Sequence, residues 1–324
     1  MAKATRRTFL QSGAVAAAAL TGAASGISAD AMSMGEDRSV AKGPAAPEAG
    51  AAPVQLPKMK FLDAEISRLV LGVNPFCGFA HYNNNFAGAM KDWYTADRVC
   101  AVMHQANRYG INAFNYAPYD PFPQYWDRFL GEGGKMHLIM QVPNLDEIVA
   151  LAKRLKPLAM HIQGETVDRA FQAGKMDPIR DGCKRIRDLG IVVGVGTHKP
   201  EVISFVEEQG WDVDFYAGCV YNRTRTWEEW KKVLNGEMME MDREIYVQSD
   251  PPRMYSVMRQ TRKPCFAFKV LAAGRIQDSK GVEQAFRTAY ESLKPNDGIF
   301  VGIFPHAKDE VRENAEIVHR ILQS

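Results

Sequence analysis

Charge of one sign is what this sequence has least to spare. Its 324 residues hold 40 Lys or Arg against 38 Asp or Glu, a formal net charge of +2. A balance so close to zero offers no basic field for nucleic acid, which is not expected as a partner. Long hydrophobic runs are missing as well. The apolar stretch Ala14–Leu20 is far shorter than the ~20 residues that cross a bilayer, so no permanent membrane span is expected. Cysteines are few. Cys77, Cys100, Cys183, Cys219 and Cys265 are odd in number, scattered and without C-x-x-C spacing, and they imply no disulfide framework. No G-x-G-x-x-G turn follows the first predicted strand, where Leu71-Gly72-Val73-Asn74 stands, which argues against an open doubly wound sheet. No internal repeat of about 20–50 residues is present either. What remains is ordinary globular composition, 46% hydrophobic and 24% charged, in a chain long enough to bury a large core.

The first residues read as a targeting segment. Thr5-Arg6-Arg7-Thr8-Phe9-Leu10-Gln11 precedes the Ala-rich run, and Ala29-Asp30-Ala31 resembles a cleavage site. This is the pattern of a twin-arginine export signal, which implies the export machinery as a partner and a periplasmic or otherwise exported destination. No Cys precedes Cys77, so a lipoprotein anchor is not expected. The segment to Ala29 carries Lys3, Arg6 and Arg7 and no acid, so its removal takes the basic count from 40 to 37 against 38 acidic. Residues 32–57 are rich in Ala, Gly and Pro with no apolar period and read as a flexible linker. The expected organisation is a signal over 1–31, a linker over 32–57 and one domain over 58–324.

From Ile66 onward short apolar runs alternate with amphipathic segments. Strands are predicted at Ser67–Val73, Ala113–Tyr116, His137–Val142, Leu158–Ile162, Ile191–Gly196, Val213–Cys219, Cys265–Val270 and Gly298–Ile303. Helices between them are marked by Thr95 and Asn144 as caps, by Pro178 and Pro200 near their starts, and by Gly110 and Gly190 at their ends. Trp227–Leu234 and Pro252–Thr261 read as two helices inside one long connection, and Phe122–Leu130 as short and irregular. Eight such units in about 260 residues predict a closed (β/α)8 TIM barrel.

In such a barrel chemistry collects at the C-terminal ends of the strands. Those ends carry Asn74, His81, Asn115, Tyr119, Gln141, His161, Gln163, Glu165, His198, Cys219, Asn222, Lys269, Arg275 and His306. Four of the seven histidines fall at this one face.

Several segments resemble a known family. Ile66-Ser67-Arg68-Leu69-Val70-Leu71-Gly72 resembles the opening strand of the aldo/keto reductases, and Gly110-Ile111-Asn112-Ala113-Phe114-Asn115 is similar to their second strand. Val301 to Asn314, ending in Arg312-Glu313-Asn314, resembles the loop and helix that hold the cofactor phosphate. The resemblance covers most of residues 60–322. It implies an aldo/keto reductase-like barrel enzyme acting on a small polar carbonyl or sugar-like substrate, with NADP held at Lys308, Arg312 and Asn314. The family's tetrad is Asp, Tyr, Lys and His, and here only His161 matches. Asn115 stands at the Asp position, Tyr119 lies one residue before the Tyr position near Asp120, and Gln141 stands at the Lys position. In that mechanism the Lys cation lowers the pKa of the Tyr proton donor, which uncharged Gln141 cannot do. Phe304 replaces the glycine of the phosphate loop, which weighs against NADP. The tetrad is degenerate, and fold does not fix function.

The residues themselves leave other readings open. His161, His198 and Cys219 end three successive strands and have the ligand types for a divalent metal, with Glu165 or His81 completing the set, as in a non-redox lyase or isomerase. Lys269, inside an otherwise apolar strand, is either a Schiff-base lysine or a rim cation paired with Glu165 or a substrate anion. Tyr119, Phe122, Tyr125 and Trp126 either stack on a sugar ring or pack a core. Arg223 and Arg225 read as surface charge unless the substrate is anionic. The working assignment makes His161, Tyr119 and Lys269 catalytic and gives substrate contacts to Asn115, Gln141, His81, Glu165, Asn222 and Arg275. A catalytically inert binding protein is the alternative from another class.

Overall fold

The computed structural model describes residues 52–235 and 244–323. The predicted export signal and residues 32–51 of the predicted linker lie outside the described residues. The end of that linker is not loose: Leu56 is buried and its N–H donates to the Tyr109 carbonyl at 3.2 Å, while Gln55 Nε2 donates to the Arg108 carbonyl at 2.7 Å.

A hairpin follows that the sequence reading did not anticipate. Strand β1 (Lys58–Phe61) pairs antiparallel with β2 (Ala64–Ser67). Its residues alternate between exposed lysines and buried Met59 and Phe61, the period of a half-buried strand. Eight parallel strands come next: β3 (Leu69–Gly72), β4 (Ala113–Tyr116), β5 (His137–Val142), β6 (Ala159–Ile162), β7 (Val192–Thr197), β8 (Phe215–Cys219), β9 (Cys265–Phe268) and β10 (Gly298–Gly302). They close in the order β10-β3-β4-β5-β6-β7-β8-β9. The (β/α)8 barrel is therefore as expected, and all eight predicted strands are present, two of them with the predicted bounds. Both faces of these strands are covered, which is why they read as continuous apolar runs.

The helices are α1 (Asn84–Trp93), α2 (Ala96–Arg108), α3 (Phe122–Gly131), α4 (Ile148–Leu155), α5 (Gly164–Gln172), α6 (Asp177–Asp188), α7 (Pro200–Glu208), α8 (Trp227–Leu234), α9 (Asp250–Gln260), α10 (Ser279–Ser292) and α11 (Glu310–Gln323). Thr95 caps α2 as expected, its side chain accepting from the Arg98 N–H. Two helices, α1 and α5, occupy stretches where no element was predicted. The supposedly irregular segment after β4 is a regular helix, α3, because its proline sits in the first turn, where no N–H is needed.

The barrel interior is filled from below. Met59, Phe61 and Ile66 of the hairpin meet Val70, Ala113, Ile139, Ala159, Phe215, Phe266 and Phe300. The Phe61 ring lies 5.3 Å from those of both Phe215 and Phe266, edge-on to each. Phe215 fits only because Gly194 faces it on β7, where an added Cβ would fall 2.3 Å from the ring. The hairpin thus closes the N-terminal pole of the barrel.

Candidate active site

At the C-terminal ends of the strands a cavity of about 500 Å³ opens, lined among others by Asn115, Tyr119, Gln141, His161, Gln163, Glu165, His198, Arg223 and Lys269. Strand pairing sets the floor. Gln141 of β5 lies beside His161 of β6 in register, and His161 beside Gly194 of β7. His161 is buried, with its Nε2 3.2 Å from Asn115 Oδ1. That oxygen only accepts, so the Nε2 carries the proton. Its Nδ1 has no hydrogen-bond partner. Burial depresses the His161 pKa to about 4, an effect the Ile162 backbone only tempers, so the ring is a neutral donor at physiological pH.

Tyr119 reaches the cavity from the loop after β4. Gln163 Nε2 donates to its hydroxyl oxygen at 2.7 Å, which leaves the hydroxyl proton free to be given to a ligand. Burial raises its pKa, against the effect of the Gln163 bond, so it is an acid and not a base. Phe122 and Trp126 do not join it. They pack in the core, stacked on Phe114 at 5.1 and 5.7 Å, and the aromatic platform reading fails because α3 turns them inward.

The strongest acid–base unit was not anticipated. His198, one residue past β7, donates Nδ1–H to Asp168 Oδ2 at 2.7 Å. Asp168, on α5, is fully buried and accepts also from the His198 N–H at 3.0 Å, Thr197 Oγ1 at 2.5 Å and Thr224 Oγ1 at 2.9 Å. All these partners donate, which suits an ionised carboxylate. The pair fixes the His198 tautomer and leaves Nε2 as its lone-pair nitrogen. Burial lowers the His198 pKa despite Asp168, favouring the neutral, basic form.

The cationic side of the cavity is also differently arranged from the expectation. β9 ends at Phe268, so Lys269 is not within the strand. It sits in the following turn with φ +63°, the left-handed region that non-glycine residues enter at a cost. Its partner is Glu244 and not Glu165, with Nζ 3.1 Å from Oε2. Arg223 Nε reaches Glu244 Oε1 at 2.6 Å, and His81 Nδ1 reaches the same oxygen at 2.7 Å. Burial lowers the Lys269 pKa. Burial pushes the Glu244 carboxyl up, but His81, Lys269 and Arg223 together hold it well below the usual carboxylate range. Glu165 ion-pairs with Arg169 and lies 3.6 Å from Arg223.

Several assigned residues are elsewhere. Asn222 is buried beside Asp250, which accepts from its N–H at 3.1 Å, and does not line the cavity. Arg225 is buried on the same Asp250 and is not a surface charge. Arg275 fastens the mouth loops, with its guanidinium 4.0 Å from the Tyr246 ring and donating to the Glu244 carbonyl at 2.8 Å. The metal reading is not supported. Among the described residues no three His, Cys, Asp or Glu side chains gather as a metal-binding group. His161 and His198 are turned to Asn115 and Asp168, and Cys219 does not reach the cavity, its thiol pushed up to about 12 by burial.

The residues assigned to NADP do not fit it. Lys308 and Asn314 line the cavity but Arg312 does not. Lys308 Nζ is held by Glu313 at 2.6 Å and by the Gln277 carbonyl at 2.7 Å. The Phe304 N–H, a candidate phosphate donor, is taken by Glu310 Oε2 at 2.7 Å. The Lys308 cation and the Phe304 N–H, the groups a phosphate would use here, are thus both engaged by side chains of the same loop and helix.

No protein-family model and no curated protein matches the chain. Solved structures do. Gox0644 in its apo form is similar over 83% of this chain and 93% of its own, at 12% identity and TM-score 0.50. The holo form of aldo-keto reductase AKR11C1 from Bacillus halodurans covers 83% of this chain and 96% of its own, at 12% identity and TM-score 0.48. A truncated 3-deoxy-D-arabino-heptulosonate 7-phosphate synthase from Thermotoga maritima covers 83% and 90%, at 11% identity and TM-score 0.46. At these identities the likeness is one of fold.

Proposed function

We propose that this chain is a barrel enzyme that moves protons at the carbonyl and adjacent carbon of a small polar, sugar-like substrate, without a nicotinamide. The observation that carries the reading is the buried His198–Asp168 pair at the same cavity as Tyr119 and the His161–Asn115 pair. His198 Nε2 takes the proton from the carbon next to the carbonyl, and the C–H electron pair becomes the double bond of an enediol. Tyr119 gives its hydroxyl proton to the carbonyl oxygen, while the Asn115 amide N–H donates to that oxygen and His161, whose Nε2–H is on Asn115 Oδ1, holds the amide in place. His198 then returns its proton to the former carbonyl carbon while the other enediol hydroxyl gives its proton to the Tyr119 phenolate, which restores both groups and completes an isomerisation. Gln141, lacking the charge that hydride transfer to a carbonyl uses in the reductase tetrad, is a substrate hydrogen-bonder. Positioned acid–base catalysis of this kind contributes ~10²–10⁴-fold.

The test is exchange of the substrate C2 proton with deuterated water, followed by proton NMR over a panel of hydroxyaldehydes. The wild-type protein is expected to catalyse exchange with at least one of them. His198→Ala and Asp168→Asn should lower it by ~10²–10⁴ while circular dichroism stays native. Unchanged exchange in both variants, or stoichiometric NADPH binding with carbonyl reduction, sinks the reading. We further propose that the chain is exported by the twin-arginine route, a reading supported by Arg6-Arg7 ahead of Phe9-Leu10 and the Ala-rich run.

A further inference from the structure

Three loops that have no sequence relation converge their donors on one carboxylate. His81 comes from the loop after β3, Arg223 from the loop after β8, and Lys269 from the end of β9. All three line the cavity. The carboxylate between them is Glu244, from the connection between α8 and α9. Its Oε1 accepts from His81 Nδ1 at 2.7 Å and Arg223 Nε at 2.6 Å, and its Oε2 from Lys269 Nζ at 3.1 Å and Tyr246 Oη at 2.7 Å. Both oxygens are thus matched by two donors each, the pattern of a carboxylate-binding site. Two of the donors are held on costly backbone, His81 at φ +54° and Lys269 at φ +63°. Strain of that kind persists where the surroundings over-determine a position, and it gathers at ligand sites.

We infer that this cradle is the acid-binding subsite of the cavity, that Glu244 is its internal occupant, and that the substrate is a small sugar acid, bearing both the reacting carbonyl and a carboxylate that exchanges with that of Glu244. Carboxylate for carboxylate leaves the charge of the cradle unchanged. Adding a second anion beside Glu244 would not, since Arg223 and Lys269 are already balanced by Glu244 and Glu165. The inference rests on the proposed reaction only for where the substrate lies, because the cradle and the His198–Asp168 pair share one cavity.

Calorimetric titration separates the two ideas, since it reads binding and not turnover. The probes are gluconate and the neutral glucitol of the same chain length. The wild-type protein should bind gluconate and not glucitol. Glu244→Gln, which removes the competing charge and keeps the shape, should tighten gluconate by roughly tenfold or more and leave glucitol unchanged. Lys269→Met in the Glu244→Gln background should reverse that gain, because the cradle then has one buried cation fewer. Equal binding of the two probes, no gluconate binding by Glu244→Gln with native circular dichroism, or a Glu244→Gln affinity no tighter than wild type overturns the inference. Gluconate binding that follows this pattern in a protein with no proton exchange keeps the subsite and removes the proposed reaction.

Discussion

His161 is neutral in the folded chain because burial strips water from its cation and no carboxylate replaces it. An unfolded histidine takes up a proton near pH 6.5, the folded one only near 4. Between those values the unfolded chain binds a proton that the folded chain refuses, so stability falls as pH drops, by as much as ~3 kcal/mol. Glu310 acts in the opposite direction. Burial raises its pKa from 4.5 to about 7, so over that interval the folded chain keeps a proton that the unfolded chain has released, and stability falls as pH rises. Denaturant midpoints across this window should therefore lose their acid-side decline in His161→Gln and their neutral-side decline in Glu310→Gln. Wild-type profiles in both variants would show that neither group carries the linkage. At this scale the sequence was half legible. His161, Tyr119 and Gln141 announce themselves by standing at strand ends. Asp168 does not, because it is a single acid on a helix the pattern did not predict, and its partner is 30 residues away. Glu244 is hidden for the same reason: nothing periodic surrounds it.

The elements that build the site tolerate little change in width. Gly196, on β7, has no side chain because none fits: an added Cβ would lie 2.7 Å from the Ile162 carbonyl oxygen, 2.9 Å from the Gly164 nitrogen and 3.0 Å from His161 Nδ1. Two of those neighbours are backbone and cannot turn aside. Gly196→Ala is expected to cost ~1–3 kcal/mol, lowering the melting temperature by several degrees, and to displace His161. An unchanged melting curve would mean that the β6–β7 spacing is looser than described. Central strands were legible because two buried faces leave a short apolar run, as in Leu138–Met140. The β1–β2 hairpin was not. Its strands are four residues each and its turn, Leu62-Asp63, carries no Asn-Gly or Gly signal, with Leu62 itself taking φ +54°. The end of β9 was overrun for a related reason, since Val270 continues the apolar run after the chain has already turned at Lys269.

For the whole molecule, the barrel follows from the count of alternating units, which no local ambiguity upsets. What the count cannot convey is which residues face inward across the barrel, because that depends on closure between β3 and β10, the first and last barrel strands. Export belongs to this scale too. Replacing Arg6 and Arg7 by lysine should trap the chain in the cytoplasm, checked by fractionating cells that express the full chain. Unaltered fractionation would end the twin-arginine reading. The closed lower pole has its own consequence. With Phe61 wedged between Phe215 and Phe266, the lumen is a blind well and not a tunnel. Any ligand entering past His81 and Lys269 would have to leave the way it came.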